Sequence, residues 1–333
     1  MEELTLNNSP DKRPIIIAHR GASGYLPEHT LPAKAAAHAM GADFIEQDVV
    51  LSRDGVPMVL HDIYLDSTTD VNQRYPGRAR ADGRYYAVDF DLEEIQQLHA
   101  HERVEWDAQG NATPAYPQRF PGRAELFRVP TLAQEIDLIS GMDHSSGRTT
   151  GLYVEFKAPG WHRAQGYDLV QAVMDVLRDK HYHDKPRQVF LQCFDDETLR
   201  YLRHEFNTPL PLIQLIGENS WGENSAADYD YLQTAAGLAD IASYADGIGP
   251  WIMQIYRGRD ATGKAQLSEL TSLAQQQGLL IHPYTFRCDD LPAGISDFDE
   301  LLEIFIQQAG INGLFTDFPD RVSRYLRQDA MSS

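Results

Sequence analysis

Glu46 and Asp48 stand two apart in the β-rich run DFIEQDVV (43 to 50). In a strand, side chains at i and i+2 leave the same face, so these two carboxylates project together while Ile45, Gln47 and Val49 face the other way. Glu155 and Lys157 repeat that spacing in LYVEFK (152 to 157). A salt bridge between strands accounts for any one of these carboxylates alone. Three on consecutive strands bury like charges at a cost that a cation removes, and hard oxygen donors of this kind suit Ca²⁺ or Mg²⁺. His19 closes the run IIIAH before Arg20 and the turn Gly21-Ala22-Ser23-Gly24, and His61 closes VPMVLH before Asp62. Two imidazoles able to exchange protons near neutral pH, a hard metal, and Arg20 with Lys157 as anion clamps describe a site for an anionic ester, most simply a phosphodiester.

Eight β-rich runs can position these groups: residues 15–19, 43–50, 152–157, 189–194, 211–217, 246–251, 279–286 and 313–318. Amphipathic stretches with believable stops lie between them. Thr30 caps one, with Pro32 in the first turn and Gly41 at the end; others are Thr131 to Gly141, Gly166 to Lys180, Asp195 to Phe206, Tyr229 to Tyr244, Lys264 to Gly278, Asp297 to Gly310 and Pro319 to Arg327. Eight strands, each followed by a helix, are the count of a (β/α)₈ TIM barrel, an α/β fold whose catalytic residues gather at the C-terminal rim, where His19 and His61 would fall. An open doubly wound sheet is the structural alternative. The rhythm breaks from about Asp66 to Arg128, a stretch rich in Tyr, Arg, Gly and Pro that follows the second strand and a hairpin turning at Arg53-Asp54-Gly55. An insertion of that length caps an active site or packs as a subdomain. The expected organisation is an N-terminal arm (1–14), a single catalytic domain (15–328) and a short tail (329–333).

The chain carries 29 Lys+Arg against 49 Asp+Glu, a formal charge of −20, which is too acidic for a generic nucleic-acid binder. Cys193 and Cys288 stand in no metal-ligand or redox spacing, so a disulfide scaffold is excluded, and Cys193 is expected to face the helices as a core thiol. No run of eighteen apolar residues occurs, so a soluble protein without stable membrane insertion is expected. Residues 1–14 are polar and lack the basic-then-apolar pattern of an export signal. Of the remaining histidines, His282 is read as structural or as a support behind the site residues, and His99, His101, His144, His162, His181, His183 and His204 as solvated. Gln192, Phe194, Trp251 and Tyr284 are candidates for a pocket wall, with ordinary barrel packing as the competing reading. Asp317, before Phe318-Pro319, is read as structural support at a strand end.

HRGASGYLPEHT, EQDVVLSRDGVPMVLHD, VEFKAP and GLFTDFPD together resemble the glycerophosphodiester phosphodiesterases, over a span from about Ile15 to Leu326. LPEHT, RYYAVDF, LQCFD, ADGIGP and HPYT make the chain most similar to the longer, periplasmic bacterial branch of that family. The resemblance implies one divalent cation on Glu46, Asp48 and Glu155, Ca²⁺ in this branch with Mg²⁺ as the alternative. It implies His19 and His61 as the acid/base pair, and Arg20 and Lys157 on the phosphate of a small glycerophosphodiester. In the family mechanism the glycerol 2-hydroxyl attacks phosphorus and expels the head-group alcohol, and water then opens the cyclic phosphate with the histidine roles reversed. The order adopted here makes His19 the first base and His61 the first acid. A periplasmic location follows from the same resemblance, with a cytoplasmic one as the alternative. Where many relatives have Glu-Asn-Thr, this chain has Glu28-His29-Thr30, and His29 is read as helix-start chemistry. Three other readings compete: a phospholipase-type phosphodiesterase on the same barrel, a glycoside hydrolase, and a binding protein that has lost turnover. The first needs a membrane-binding surface that is not evident, the second leaves two rim histidines unexplained, and the third predicts a missing histidine.

Overall fold

A computed structural model describes residues 13–107, 109–121, 125–222 and 225–332 of the protein. Residues 1–12 of the expected arm lie outside this range. Eight parallel strands, with Pro57–Val59 added antiparallel to the second of them, form one sheet: β1 Ile15–Ala18, β2 Phe44–Leu51, β3 Gly151–Phe156, β4 Val189–Cys193, β5 Leu212–Ile216, β6 Gly247–Pro250, β7 Leu280–Ile281 and β8 Gly313–Thr316. Their order is β7-β6-β5-β4-β3-β2-β1-β8, and β1 pairs with β8 from Ile15 opposite Gly313 to Ala18 opposite Thr316. Closure between β7 and β8 is irregular. It runs through Asn312 N to Ile281 O (3.1 Å), Phe315 N to Pro283 O (3.1 Å) and Phe286 N to Phe315 O (2.8 Å). The sheet is therefore a TIM barrel. The regular part of the seventh strand is much shorter than the expected 279–286, but pairing continues past Pro283, which has no N–H to give, through Tyr284 N to Pro250 O (3.0 Å) and isolated bridges at Tyr284 and Phe286.

Strand alternation divides the core in two. Inward-facing Ile17, Phe44, Tyr153, Phe190, Ile213, Leu280 and Phe315 fill the barrel, with the Tyr153 and Phe190 rings stacked at 4.9 Å. Gly151 at the start of β3 makes room for this plug, since a Cβ there would lie 2.1 Å from the Phe44 ring. Outward-facing Ile45, Val49, Leu152, Val154, Leu191 and Cys193 join the larger core beneath the helices, so the thiol lies where alternation places it. His282 hydrogen-bonds the Tyr153 hydroxyl through Nδ1 (2.8 Å) within the barrel interior.

Several boundaries differ from expectation. α1 (Leu31–Ala39) starts where Thr30 accepts from Ala33 N, but α2 (Leu132–Ser146) runs through Gly141 and stops at Gly147, which takes a left-handed conformation. The stretch 229–244 splits into helices Tyr229–Leu232 and Ala235–Ile241, and 264–278 contains a strand, Ala265–Leu267, before its helix. The last helix spans Pro319–Ser332, so residues 329–332 continue a helix instead of forming a tail. The insertion holds short helices at Val71–Arg74 and Leu92–Gln96 and a hairpin of Val104–Trp106 with Ala112–Pro114. Its apolar residues Val71, Tyr85, Phe90, Ile95 and Leu98 belong to the same core cluster as β2 and β3.

Candidate active site

The strand period carries each apolar plug residue upward into a polar one. Ile17 leads to His19, Phe44 to Glu46 and Asp48, Tyr153 to Glu155 and Lys157, Phe190 to Gln192 and Phe194, and Phe315 to Asp317. The C-terminal mouth of the barrel is thereby lined with charge over a dry floor. A cavity of about 220 Å³ opens there, bordered by His19, Arg20, Glu46, Asp48, His61 and Glu155. Gln192, Phe194, Trp251 and Tyr284 all line it, together with Trp221 and Arg287, which sequence reasoning did not select. Lys157 borders an adjoining cavity of about 180 Å³ that shares His61, Glu155 and Phe194.

Glu46, Asp48 and Glu155 offer oxygens that all lie within 4.8 Å of one another, and all three residues are buried. Burial and the neighbouring Asp48 and Glu155 push the Glu46 carboxyl well above its ordinary range. Burial, with the Asp48 charge against it and Lys157 opposing, lifts Glu155 to about 8. Burial also works against an ionised Asp48, but His29 and Lys157 hold that carboxyl well below its usual range. Asp48 Oδ1 is buried with no hydrogen-bond partner. An orphaned carboxylate oxygen inside an all-oxygen cluster fits a hard divalent cation.

The two histidines are built alike. His19 directs Nδ1 to Asp317 Oδ1 (2.6 Å) and His61 directs Nδ1 to Asp62 Oδ1 (2.6 Å). Each Nε2 is thus left facing inward, at 3.9 Å from Glu46 Oε2 for His19 and 3.3 Å from Lys157 Nζ for His61. Burial, then Arg20, pushes His19 down to about 4; burial, Arg20 and Lys157 push His61 down to about 3. With Nδ1–H given to a carboxylate, both rings present a lone pair to the cavity. Arg20 gives its backbone N–H to Glu46 Oε2 (2.9 Å) and its guanidinium to Glu28 (3.0 Å). Gly21 follows at a φ of +88°, and a Cβ there would come within 2.8 Å of the Ala33 backbone, so the turn after β1 packs directly on α1.

The readings of His29, His101, His162 and His99 need correction. His29 does not serve the helix start, which Thr30 caps; its Nε2 donates to Asp48 Oδ2 (2.7 Å) while its Nδ1 accepts from Lys34 (3.0 Å). Lys34 is fully buried, pairs with Glu135 of α2 (3.1 Å) and also donates to the Glu46 carbonyl, so α1 braces the carboxylate cluster from outside the barrel. His101 and His162 are buried and not solvated, and His162 Nε2 accepts from Leu51 N (3.2 Å) at the end of β2. His99 is half-buried against Asp70 (3.0 Å). Asp317 does provide support, specifically to His19. Asp62, Glu28, Arg103, Arg119 and Arg287 complete the ring of charge; of these, Asp62, adjacent to His61, and Glu28, within LPEHT, carried a signal in the sequence.

The sequence matches the Glycerophosphoryl diester phosphodiesterase family over residues 19–321. It is 38% identical to the Glycerophosphodiester phosphodiesterase of Haemophilus influenzae, covering 94% of this chain and 90% of that protein. It is 34% identical to the Glycerophosphodiester phosphodiesterase of Treponema pallidum, covering 95% and 92%. In fold it is similar to an Oleispira antarctica phosphodiesterase in complex with the product sn-glycerol-3-phosphate, with a TM-score of 0.63 and 20% identity over 94% of this chain and 97% of that one. A match of this extent over the barrel strands and their rim establishes that the chain belongs to the Glycerophosphoryl diester phosphodiesterase family.

Proposed function

We propose that the protein hydrolyses small glycerophosphodiesters, such as glycerophosphocholine and glycerophosphoethanolamine, to sn-glycerol 3-phosphate and an alcohol. The carrying observation is the pair of histidines, each anchored at Nδ1 by a carboxylate and each turning Nε2 inward beside the three-carboxylate cluster. The two curated relatives bear the name of this activity, and the Oleispira antarctica neighbour binds its product. Glu46, Asp48 and Glu155 would hold one divalent cation, Ca²⁺ with Mg²⁺ as the alternative, which supplies charge neutralisation and Lewis-acid polarisation when bound.

Arg20 and Lys157 take the phosphate oxygens. Burial is the main cause that keeps both imidazoles neutral, with Arg20 adding to it at both rings and Lys157 at His61; the phosphodiester brings a negative charge that offsets these cations and so raises the proton affinity of both rings. His19 Nε2 accepts the proton of the glycerol 2-hydroxyl as that oxygen bonds to phosphorus, and His61, which takes up a proton at Nε2 when the phosphodiester binds, gives that proton to the departing head-group oxygen as its bond to phosphorus breaks. In the second half His61 takes a proton from water, the new oxygen bonds to phosphorus, the ring bond breaks, and His19 returns its proton to the 2-oxygen. The Nδ1 bonds to Asp317 and Asp62 keep both rings oriented through the cycle. Gln192, Phe194, Trp251 and Tyr284 form the wall for the organic part of the substrate. Among the described residues no helix is long and apolar enough to cross a membrane. Resemblance to the longer bacterial branch supports a periplasmic setting.

Release of sn-glycerol 3-phosphate from glycerophosphocholine tests the reading. Chelated protein is expected to be inactive, with release restored by Ca²⁺ and less by Mg²⁺. A folded sample that releases nothing with either ion would overturn it.

A further inference from the structure

The insertion supplies two arginines that reach the histidines from behind. Arg103 Nη1 donates to Asp62 Oδ2 (2.8 Å), the oxygen that His61 leaves free, since His61 occupies Oδ1. The same guanidinium forks onto Glu28 through Nη2 (2.7 Å) and Nε (3.0 Å), and Glu28 also receives Arg20 (3.0 and 3.1 Å). Arg119 Nη2 donates to Asp317 Oδ2 (2.7 Å), again the oxygen that the histidine leaves free. Arg119 is itself fixed by Asp289 (2.9 and 3.1 Å) and lies 3.6 Å from the centre of the Tyr116 ring. The two dyads share one design: one carboxylate oxygen for the imidazole, the other for an insertion arginine.

We propose that Arg103 and Arg119 are positioning residues for His61 and His19, so that the insertion is a working part of the active site and not only a cap. This rests on the reading of those histidines as the acid/base pair. A carboxylate held at one oxygen can turn about its Cβ–Cγ bond and carry the imidazole with it. Held at both oxygens by charge-assisted bonds, it cannot, and catalytic geometry is sensitive to displacements of that size. Asp317 Oδ2 has a second brace in Arg287 Nε (2.8 Å), so losing Arg119 loosens that carboxylate without freeing its oxygen, whereas Arg103 is the insertion's link from Asp62 to Glu28 and Arg20. Loss of Arg103 therefore disturbs both the ring that moves protons and the clamp that holds phosphate, and loss of Arg119 disturbs the ring alone.

Steady-state kinetics on glycerophosphocholine separate these roles, with Arg103 and Arg119 each changed to Ala and to Lys. Arg119→Ala, in which Arg287 still holds Asp317 Oδ2, is expected to lower kcat about threefold to tenfold with KM within about twofold, and Arg103→Ala to lower kcat by about tenfold to a hundredfold with a raised KM. Millimolar guanidinium should restore part of the lost kcat in the alanine variants. Arg53→Ala is the control. It removes ion pairs to Asp91 and Glu94 that hold the insertion through residues belonging to neither dyad, and should leave kcat unchanged. Wild-type kcat in folded alanine variants, a loss no larger than that of Arg53→Ala, or a loss confined to KM for Arg119→Ala would overturn the proposal. If an alanine variant does not fold, its lysine variant decides. Lysine keeps the charge but not the fork, so a lowered kcat supports positioning and a wild-type kcat overturns it. Retained activity in His19→Ala and His61→Ala, measured alongside, would instead overturn the acid/base reading itself.

Discussion

Glu46→Gln is expected to lower turnover by at least about a hundredfold while leaving the chelated protein no less stable than wild type. The activity loss follows from removing one of three anionic donors, each needed to hold a cation whose catalytic effect is worth several kcal/mol. The stability result follows from local hydrogen bonding. Glu46 accepts from Gln192 Nε2 (2.9 Å) and from Arg20 N (2.9 Å), and Gln192 Oε1 is buried without a partner. A glutamine at 46 can accept from Arg20 N, and its own amide can donate to Gln192 Oε1 once that side chain flips. The variant also relieves like-charge burial. A pH profile distinguishes this from a neutral change. Glu155 titrates at about 8 in the fold against about 4.5 when unfolded, so above pH 4.5 the folded state holds a proton that the unfolded state has lost. That contribution to stability falls as pH rises through about 8, by about 1.4 kcal/mol per pH unit for one such group. Below pH 6.5 the opposite trend enters, because buried His19, His29, His61 and His282 are lowered to about 4 or 3 and lose stability as pH falls. Chelated wild type should therefore lose melting temperature from pH 6.5 to 8.5, Glu46→Gln should lose less, and a bound divalent ion should flatten the wild-type curve. Activity within tenfold of wild type, or a flat chelated wild-type profile, would count against the three-carboxylate site.

His61→Ala should lose at least about a hundredfold on glycerophosphocholine, the scale of a lost general acid, but far less in alcohol release from a glycerophosphodiester of p-nitrophenol. A phenol of that kind departs without being protonated, so the first step proceeds. The second step needs His61 to take a proton from water, and the cyclic phosphate should therefore accumulate with this substrate. His19→Ala should lose at least about a hundredfold on both substrates, because the attacking hydroxyl has lost its base in each. The reverse pattern would exchange the two roles. Equal losses on both substrates in both variants would contradict separate roles, and melting curves would show whether each variant remains folded.

How far these residues were legible depends on the range over which they act. The period-2 runs around Phe44, Glu46 and Asp48 and around Tyr153, Glu155 and Lys157 were readable because a strand's alternation is local and a buried side must be apolar unless chemistry requires otherwise. Thr30 as a helix cap was readable for the same reason. His29 was misread because its neighbour supplies the cap while its own ring turns inward to Asp48, a contact nineteen residues away. Arg103 and Arg119 were invisible. They stand among many arginines of an irregular insertion, and their partners Asp62 and Asp317 lie forty-one and 198 residues distant. An irregularity in β7 could have been anticipated from Pro283, whose missing N–H removes one bond from the pairing without ending it. The burial of His101 and His162 depends on packing that no periodicity in their own segments announces.

Hydrolysis of a glycerophosphocholine analogue that carries hydrogen in place of the glycerol 2-hydroxyl tests most directly whether the substrate's own hydroxyl is the nucleophile that His19 activates. The expected result is choline release below about a hundredth of the natural rate, with the analogue acting as a competitive inhibitor because Arg20, Lys157 and the cavity wall still bind it. Release of choline from the analogue at a rate close to that of glycerophosphocholine would contradict it, and would mean that water attacks phosphorus without a cyclic phosphate.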